Sequence, residues 1–139
     1  MKILVIDGQG GNVGRLLVKG IKESFPEVSV RAIGTNSTAT TNMLRAGADE
    51  AATGENAVIV SCRTADIIAG PIGIALADAL MGEITPAMAN AVASAPAYRV
   101  LIPMNLCDTY VAGVEGSSTA IIADAVEHIK TLMGAVQGR

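Results

Sequence analysis

The chain has 139 residues, half of them apolar and 17% charged, with a formal net charge of −3. This length and composition exclude a disordered chain and suit one domain with a real core. Basic and acidic residues are interspersed without a Lys/Arg stripe, which disfavours a nucleic-acid partner. With no apolar stretch of roughly 18 residues and no signal-peptide pattern, we expect a cytoplasmic protein without membrane contact. So few charges also favour a homo-oligomer, in which other subunits cover part of the surface.

The first third of the sequence alternates between strand and helix patterns. Residues 2–7, KILVID, form a continuous apolar run that is typical of a buried parallel strand. From Asn12 to about Ser24 the apolar residues follow helical spacing. A second strand is predicted at 28–33, and the helix after it closes on Gly47.

Residues 49–70 allow two interpretations. In one, a strand at 49–53 precedes a helix from about Glu55 to Thr64. In the other, AVIVSC at 57–62 is a strand, because Val and Ile favour strands. A parallel layout favours the helix, because the segment CRTA is too short to cross over between parallel strands. The helix is therefore our prediction.

The second half of the sequence continues the alternation. The apolar residues of IGIALADALMG follow helical spacing, and Thr85-Pro86 is a typical helix start. The predicted elements are a strand at 66–69, a glycine loop at 70–73, a helix from Pro86 to Ala95, strands at 98–103 and 109–114, and a last helix that residues 115–118 open and Gly134 ends.

Strand and helix patterns alternate along the whole sequence, and this order predicts an α/β fold. The economical architecture is a three-layer, doubly wound, mostly parallel sheet of the Rossmann-like kind, built as a single domain over 1–139. In such sheets, ligands bind outside the carboxyl ends of the strands, where the strand order reverses. The glycine-rich and polar loops after the predicted strands would meet at that edge.

The stretch VIDGQGGNVGR at 5–15 is the strongest functional signal. A strand, a glycine-rich loop and a helix follow one another there, as in a pyrophosphate site, where backbone amides and the helix N-terminus receive the anion. The glycines follow the spacing G-x-x-G-x-x-G, which looks like the variant in extended short-chain dehydrogenases. The alternative is a turn that joins strand to helix without a ligand. The predicted phosphate contacts are the amides of Gly8, Gly10, Gly11 and Asn12.

The end of the second predicted strand argues against NAD. An NAD site usually carries an Asp or Glu there that binds the ribose hydroxyl, and GTNS at 34–37 contains neither. These side chains could instead hold the phosphate of NADP or part of another nucleotide, or one of them could cap the next helix. The other candidate binding residues, which would flank the sugar or close the pocket, are Thr35, Asn36, Ser37, Gly70, Pro71 and Gly73. For the last three, the alternative is a simple turn.

The sequence contains no complete catalytic set. The Tyr-x-x-x-Lys pair of short-chain dehydrogenases is missing after both tyrosines, and no metal-ligand spacing occurs around the single histidine. Asp7 is expected to accept hydrogen bonds from the loop amides, and Asp78 and Glu83 to be solvated charges on a helix face. The remaining reactive side chains are expected in structural places, with His128 at the surface and Cys62 and Cys107 as small buried hydrophobes.

Five stretches of the sequence together carry a resemblance. They are MKILVIDGQGGNVGR, AIGTNSTAT, AGADEAATGENAV, ADIIAGPIGIALADALMGEITPAMA and LIPMN-x-C, and they cover nearly the whole chain. They are similar to a small bacterial family, common in anaerobic Firmicutes, that is a domain of unknown function. The resemblance implies a Rossmann-like fold, and it brings no activity, ligand or catalytic residue with it.

Three functions are open at this point. The leading hypothesis is a sensor or accessory subunit that binds a nucleotide or other phosphorylated ligand at the loop 8–14. The first alternative is an enzyme that acts on a phosphorylated metabolite through Asp7, Asn105 or Cys107. The second is a purely structural oligomer whose glycine loop is only conformational. The leading hypothesis depends on loop amides that are free and face a cavity.

Overall fold

Strands and helices alternate along residues 1–104 and 109–137, which are the residues that the computed structural model describes. In chain order the elements are β1 (Lys2–Asp7), α1 (Asn12–Ser24), β2 (Ser29–Gly34), α2 (Ser37–Arg45), β3 (Glu50–Thr53), α3 (Glu55–Cys62), β4 (Ile67–Pro71), α4 (Pro86–Ser94), β5 (Tyr98–Ile102) and α5 (Ser118–Gln137). A short 3-10 helix at Ile72–Ala75 follows β4.

The five strands form one sheet in the order β3-β2-β1-β4-β5, and neighbouring strands run parallel. Lys2–Asp7 pairs with Ser29–Gly34 residue by residue, so the loops after β1 and β2 leave the sheet at the same height. The strand order reverses between β1 and β4. Doubly wound sheets bind their ligands at this switch point.

Helices cover both faces of the sheet. Ile3 and Val5 of β1 face the layer of α1, α2 and α5, whereas Leu4 and Ile6 face the layer of α3 and α4. The alternation follows from the two-residue period of a strand, and both faces are apolar because both are covered. The predicted three-layer, doubly wound α/β architecture is confirmed.

The helices α2 and α4 begin at residues whose side chains cap them, whereas α1 and α3 begin after glycines. Asn36 caps α2, since its Oδ1 accepts the Ala39 N–H at 2.9 Å. Thr85 caps α4, since its Oγ1 accepts the Met88 N–H at 3.2 Å, and Pro86 takes the first helical position. These short polar contacts fix where the chain turns into α2 and into α4.

The helix predicted within residues 49–70 is confirmed as α3, and the strand interpretation of 57–62 is wrong. Val58 and Cys62 lie one helical turn apart and both pack in the core with α4. The helix carries the chain from β3, at one edge of the sheet, back to β4 beside β1. This crossover requirement outweighs the β-branched side chains.

Three other sequence predictions are wrong. Residues 109–114 contain a turn at 112–113 and no strand, and the left-handed angle of Gly113 (φ +79°) does not fit an extended strand. Gly134 does not end α5, which continues to Gln137. The apolar pattern of IGIALADALMG gives a 3-10 helix and turns rather than an α-helix. The left-handed backbone angles of Asp78, Leu80 and Met81 do not fit an α-helix there.

Candidate functional site

Asp7 holds the glycine loop from inside the protein. It ends β1 and is 4% exposed. Its Oδ1 accepts the Gly8 N–H at 2.8 Å, and its Oδ2 accepts the Gly14 N–H at 2.7 Å. The predicted hydrogen-bonding role of Asp7 is confirmed. Both oxygens are engaged in joining β1 to α1.

The expectation that the amides of Gly8 and Gly11 are free for phosphate is wrong. The Gly8 N–H donates to Asp7, and the Gly11 N–H donates to the Gly8 carbonyl at 2.8 Å. The Asp7 carboxylate supplies the negative charge that a phosphate group would bring to the Gly8 N–H, and a backbone carbonyl takes the Gly11 N–H. The loop therefore closes on itself at these two positions.

Gly10 differs from the glycines around it. A Cβ at Gly11, whose φ is +71°, would lie 2.7 Å from the Ala39 Cα, and one at Gly14 would press on a methionine of α2. A Cβ at Gly10 would meet nothing within 4 Å. Among the described residues, the N–H groups of Gly10 and Asn12 have no acceptor. These two amides are what remains open of the predicted phosphate site.

Glu83 brings a second carboxylate against the loop. Its Oε1 accepts the Thr35 hydroxyl at 2.6 Å and the Asn36 Nδ2 at 2.6 Å. The Gln9 N–H donates to both carboxylate oxygens, at 3.1 and 3.2 Å. We call these three donor groups, Gln9 N, Thr35 Oγ1 and Asn36 Nδ2, the anion cradle. The expectation that Glu83 is a solvated charge on a helix is wrong, because it is half-buried and lies in a turn.

The pKa values of the two carboxyl groups shift in opposite directions. Burial raises the pKa of Asp7 against the hydrogen bonds from Gly14 and Gly8, and the charge of Glu83 raises it further. Burial also acts to raise the pKa of Glu83, but the hydrogen bonds from the anion cradle together hold it below its ordinary value. The cradle therefore favours a charged oxygen group between its three donors.

The two segments that meet at Glu83 share an unusual backbone. Apart from glycines, the described residues with left-handed backbone angles are Gln9 (φ +49°), Asp78 (φ +66°), Leu80 (φ +55°) and Met81 (φ +57°). Such conformations cost on the order of 1 kcal/mol or more each and cluster at functional sites. Three of them lie in residues 76–84, which we call the capping segment because it carries Glu83 over the loop.

A cavity of about 150 Å³ opens at the switch point between β1 and β4. Gln9 borders it from the loop after β1, and Gly73 from the turn after β4. The capping segment covers it with Leu76 and Leu80. Ligand pockets in proteins usually measure about 300–1,000 Å³, so this cavity holds a small group unless the capping segment moves.

The residues GTNS after β2 reach the site only in part. Thr35 and Asn36 belong to the anion cradle, and Asn36 also caps α2, which confirms the capping alternative for one residue of this group. Ser37 is exposed on the first turn of α2, and its side chain makes no hydrogen bond within the described residues. Two of the three side chains therefore face the same carboxylate.

The residues GPIG after the fourth predicted strand are divided between strand and cavity. Gly70 and Pro71 are buried within β4, so the expectation that they form a ligand loop is wrong. Gly70 packs against the carbonyl of Ile6 in the neighbouring strand, and only glycine allows that approach. Gly73 borders the cavity, as a pocket-closing residue would.

The described residues offer little reactive chemistry near the cavity. Cys62 is buried in the core as predicted, and burial raises the pKa of its thiol to about 11. His128 is exposed on α5, also as predicted, with its Nε2 3.4 Å from the Tyr98 hydroxyl. No group of three metal-binding side chains occurs in the part of the chain that the structure describes. Asn105 and Cys107, the other residues of the enzyme hypothesis, lie outside the described residues.

Glu83 is the site residue that sequence reasoning missed. Its partners in the anion cradle lie 47 to 74 residues away along the chain. The only local signal is the pair Gly82-Glu83, in which a glycine interrupts the apolar pattern just before an acid. An acid in a turn at the ligand edge of the sheet is a candidate for contact with a glycine loop.

Residues 2–134 match the family described as "Domain of unknown function (DUF3842)". No curated protein matches the chain. Within the described residues, no helix is both long enough and apolar enough to cross a membrane.

A solved structure shares the fold. It is a dodecameric FMN-dependent UbiX-like decarboxylase from Escherichia coli O157:H7, with a TM-score of 0.55 and 19% sequence identity. The similarity covers 96% of this chain and 95% of that chain. At this identity the likeness extends to the fold alone.

Proposed function

The chain belongs to the DUF3842 family, whose function is unknown. From this premise and the doubly wound fold, we propose that the chain binds a small phosphorylated ligand at the carboxyl edge of β1 and β2. The ligand's phosphate takes the place of the Glu83 carboxylate in the anion cradle. The protein acts as a sensor or accessory subunit rather than as an enzyme.

The observation that carries this proposal is the convergence of three donors on one carboxylate. Glu83 is bound through a backbone N–H, a hydroxyl and a side-chain amide, the same donor types that receive phosphate oxygens in proteins. The donors come from Gln9, Thr35 and Asn36, which loops after two different strands supply. Glu83 comes from the capping segment, in which Asp78, Leu80 and Met81 have left-handed backbone angles.

A nucleotide is the ligand class that we favour. The solved structure with the same fold is FMN-dependent, and NADP is the alternative that the sequence suggests. The cradle fits a phosphate group, whereas the cavity of about 150 Å³ does not hold a flavin or adenine ring in the present position of the capping segment. Displacement of Glu83 would release that segment, whose Leu76 and Leu80 line the cavity, and enlarge the space.

The binding role is favoured over catalysis by the groups next to the cradle. The Asp7 carboxylate uses both oxygens within the loop, and the Cys62 thiol lies in the core with a raised pKa. Neither is suited to transfer a proton or attack a bound ligand. A change in the position of the capping segment would instead report the ligand to a partner.

We also propose that the chain self-associates through the outer face of α3 and α4. No charged residue occurs from Asn56 to Cys62 or from Pro86 to Pro96, yet Val60 of this face is 42% exposed. A second copy of a chain with a net charge of −3 meets the least repulsion at such a face. The solved neighbour is a dodecamer.

The decisive experiment removes the internal carboxylate. Glu83→Ala leaves the three cradle donors without their acceptor, and we expect the free energy of unfolding to fall by about 1–2 kcal/mol. Added orthophosphate, FMN, NADP, AMP or coenzyme A should then stabilise the variant more than the wild type, because no internal anion competes. Thermal unfolding over a ligand titration measures both effects.

Glu27→Ala is the matched control. Glu27 is exposed, and its substitution removes the same charge at a position away from the cradle. Its response to phosphate compounds should equal that of the wild type. If no phosphate compound stabilises Glu83→Ala beyond the control, the purely structural role of the loop is correct instead. Native mass spectrometry of the purified protein detects a retained ligand and counts the copies of the chain.

A further inference from the structure

A basic groove of about 530 Å³ runs between α1 and α2. Its charged and polar lining consists of Arg15, Lys19, Lys22, Glu23, Asn42 and Arg45. Four of these side chains are cationic and one is anionic, in a chain whose net charge is −3. The groove therefore concentrates positive charge on one part of an acidic protein.

Three of the four cations form no ion pair with another described residue. The Lys22 ammonium is occupied, since it donates to the Pro26 and Val28 carbonyls and pairs with Asp49 at 3.0 Å. Within the described residues, none of the other three cations has a carboxylate within 4.0 Å. These are Arg15, Lys19 and Arg45.

The sequence has no basic stripe, but the fold brings basic side chains of two helices together at this place. Arg15 and Lys19 lie four residues apart on α1 and so occupy one side of the helix. Arg45 lies in the last turn of α2, which contacts α1 across the groove. Counting charges along the sequence misses the cluster because its members belong to two helices.

The groove begins at the open end of the glycine loop. The Arg15 Nη2 donates to the Asn12 Oδ1 at 2.7 Å, and the Asn42 Nδ2 donates to the Gly10 carbonyl at 2.7 Å. Gly10 and Asn12 are the two loop residues whose amides have no acceptor among the described residues. Open amides and cations without a carboxylate partner among the described residues thus adjoin one another at this end of the loop.

We infer that this groove is a second anion site, and that the ligand of this protein carries at least two phosphate groups. One phosphate occupies the anion cradle, and the amides of Gly10 and Asn12 lead the next toward Lys19 and Arg45. The two-phosphate ligand rests on the proposed function, whereas the anion affinity of the groove does not. A concave site between two helices, with no aromatic side chain in its lining, suits a small polyphosphate compound rather than a nucleic acid.

The test uses inorganic tripolyphosphate, with orthophosphate as the shorter probe, in calorimetric titrations of the full chain at low ionic strength. The double variant Lys19→Gln/Arg45→Gln should bind tripolyphosphate about tenfold more weakly than the wild type, in the range expected for two exposed ion pairs. Orthophosphate binding to Glu83→Ala should not change when the double substitution is added. Salt at about 0.5 M should remove most of the difference.

The matched control is Arg63→Gln/Lys130→Gln, which removes the same charge from exposed positions outside the groove. Its tripolyphosphate affinity should stay within about twofold of the wild type. The inference is overturned if the double variant binds like the wild type, or if the control loses as much affinity. It is also overturned if a short single-stranded oligonucleotide binds the groove residues more tightly than tripolyphosphate does.

The same titrations separate this inference from the proposed function. If tripolyphosphate binding depends on the groove while Glu83→Ala gains no affinity for orthophosphate, the cradle fails and the groove stands as an anion site. If Glu83→Ala gains that affinity and the double substitution changes nothing, the cradle stands and the groove assignment is refuted.

Discussion

Asp7 and Glu83 both present a carboxylate to the glycine loop, but the protein holds them in different ways. Asp7 is 4% exposed, and its acceptor oxygens serve the amides of Gly8 and Gly14 in the same strand-loop-helix unit. Glu83 is half-buried, and it reaches its nearest partners from a turn 47 or more residues away. The Asp7 carboxylate belongs to the strand that the loop follows, whereas the Glu83 carboxylate contacts the loop from a separate turn.

This difference separates a structural contact from an exchangeable one. Removing Asp7 from its donors would require β1 and α1 to part, since both ends of the contact belong to them. The contact of Glu83 depends instead on the position of the capping segment, and the left-handed angles at Asp78, Leu80 and Met81 oppose the present conformation of that segment. Under the proposed function we therefore expect an anionic ligand to compete for the donors of Glu83 and not for those of Asp7.

The largest expected effect tests the structural half of this comparison. Asp7→Ala leaves two buried N–H groups without an acceptor, and we expect the free energy of unfolding to fall by about 3 kcal/mol or more. Asp7→Asn retains one acceptor oxygen and should lose about half as much. Urea denaturation followed by circular dichroism measures these values, and phosphate compounds should not restore them.

The control for Asp7 is Asp124→Ala, which removes an exposed carboxylate from α5. Its unfolding free energy should stay within about 0.5 kcal/mol of the wild type. Should Asp7→Ala prove no more destabilising than Glu83→Ala, or should phosphate rescue it, the distinction between a built-in and an exchangeable carboxylate would be lost.

Two glycines of the loop, Gly11 and Gly10, also differ in whether their role is structural, and the expected effects of substituting them are smaller than that of Asp7→Ala. Gly11→Ala forces a left-handed residue against the backbone of α2 at Ala39, and we expect a loss of about 2–3 kcal/mol in unfolding free energy. Gly10→Ala meets open space and should be neutral or slightly stabilising. The same Gly10 substitution should weaken tripolyphosphate binding, because its methyl group stands beside an open amide. A large stability loss in Gly10→Ala would give that glycine a structural role and remove it from the site.

Much of the fold follows from the sequence, whereas the site follows only in part. Strand and helix periods, and the caps at Asn36 and Thr85, are local signals, and they predict the doubly wound sheet. The occupancy of the loop amides is not local, because Glu83 meets Gln9 across 74 residues. The capping segment also misleads, since its apolar spacing is helical while its backbone angles are not. Amino-acid composition and hydrophobic periodicity do not indicate which carboxylate accepts the hydrogen bonds of a given group of donors.

The smallest expected effect concerns acid pH, where the two carboxyl groups act with opposite signs. The pKa of Glu83 in the folded protein lies below its ordinary value of 4.5, so its stabilising contribution is complete above that pH and is lost as the pH falls through the folded value. The pKa of Asp7 is raised above 3.8, so its titration favours the folded state below pH 3.8 and this contribution is lost as the pH rises through the raised value.

Glu83→Gln removes only one of these contributions and therefore tests the sign directly. Between pH 6 and pH 3, the wild type should lose more unfolding free energy than Glu83→Gln, by less than about 1 kcal/mol because the contact is partly exposed. Urea titrations at half-unit pH steps resolve the two curves, and Glu27→Gln should follow the wild type. Coincident curves for Glu83→Gln and the wild type would mean that the cradle does not hold a charged oxygen group. In that case a phosphate has no internal competitor to displace, and the exchange on which ligand binding depends would not occur.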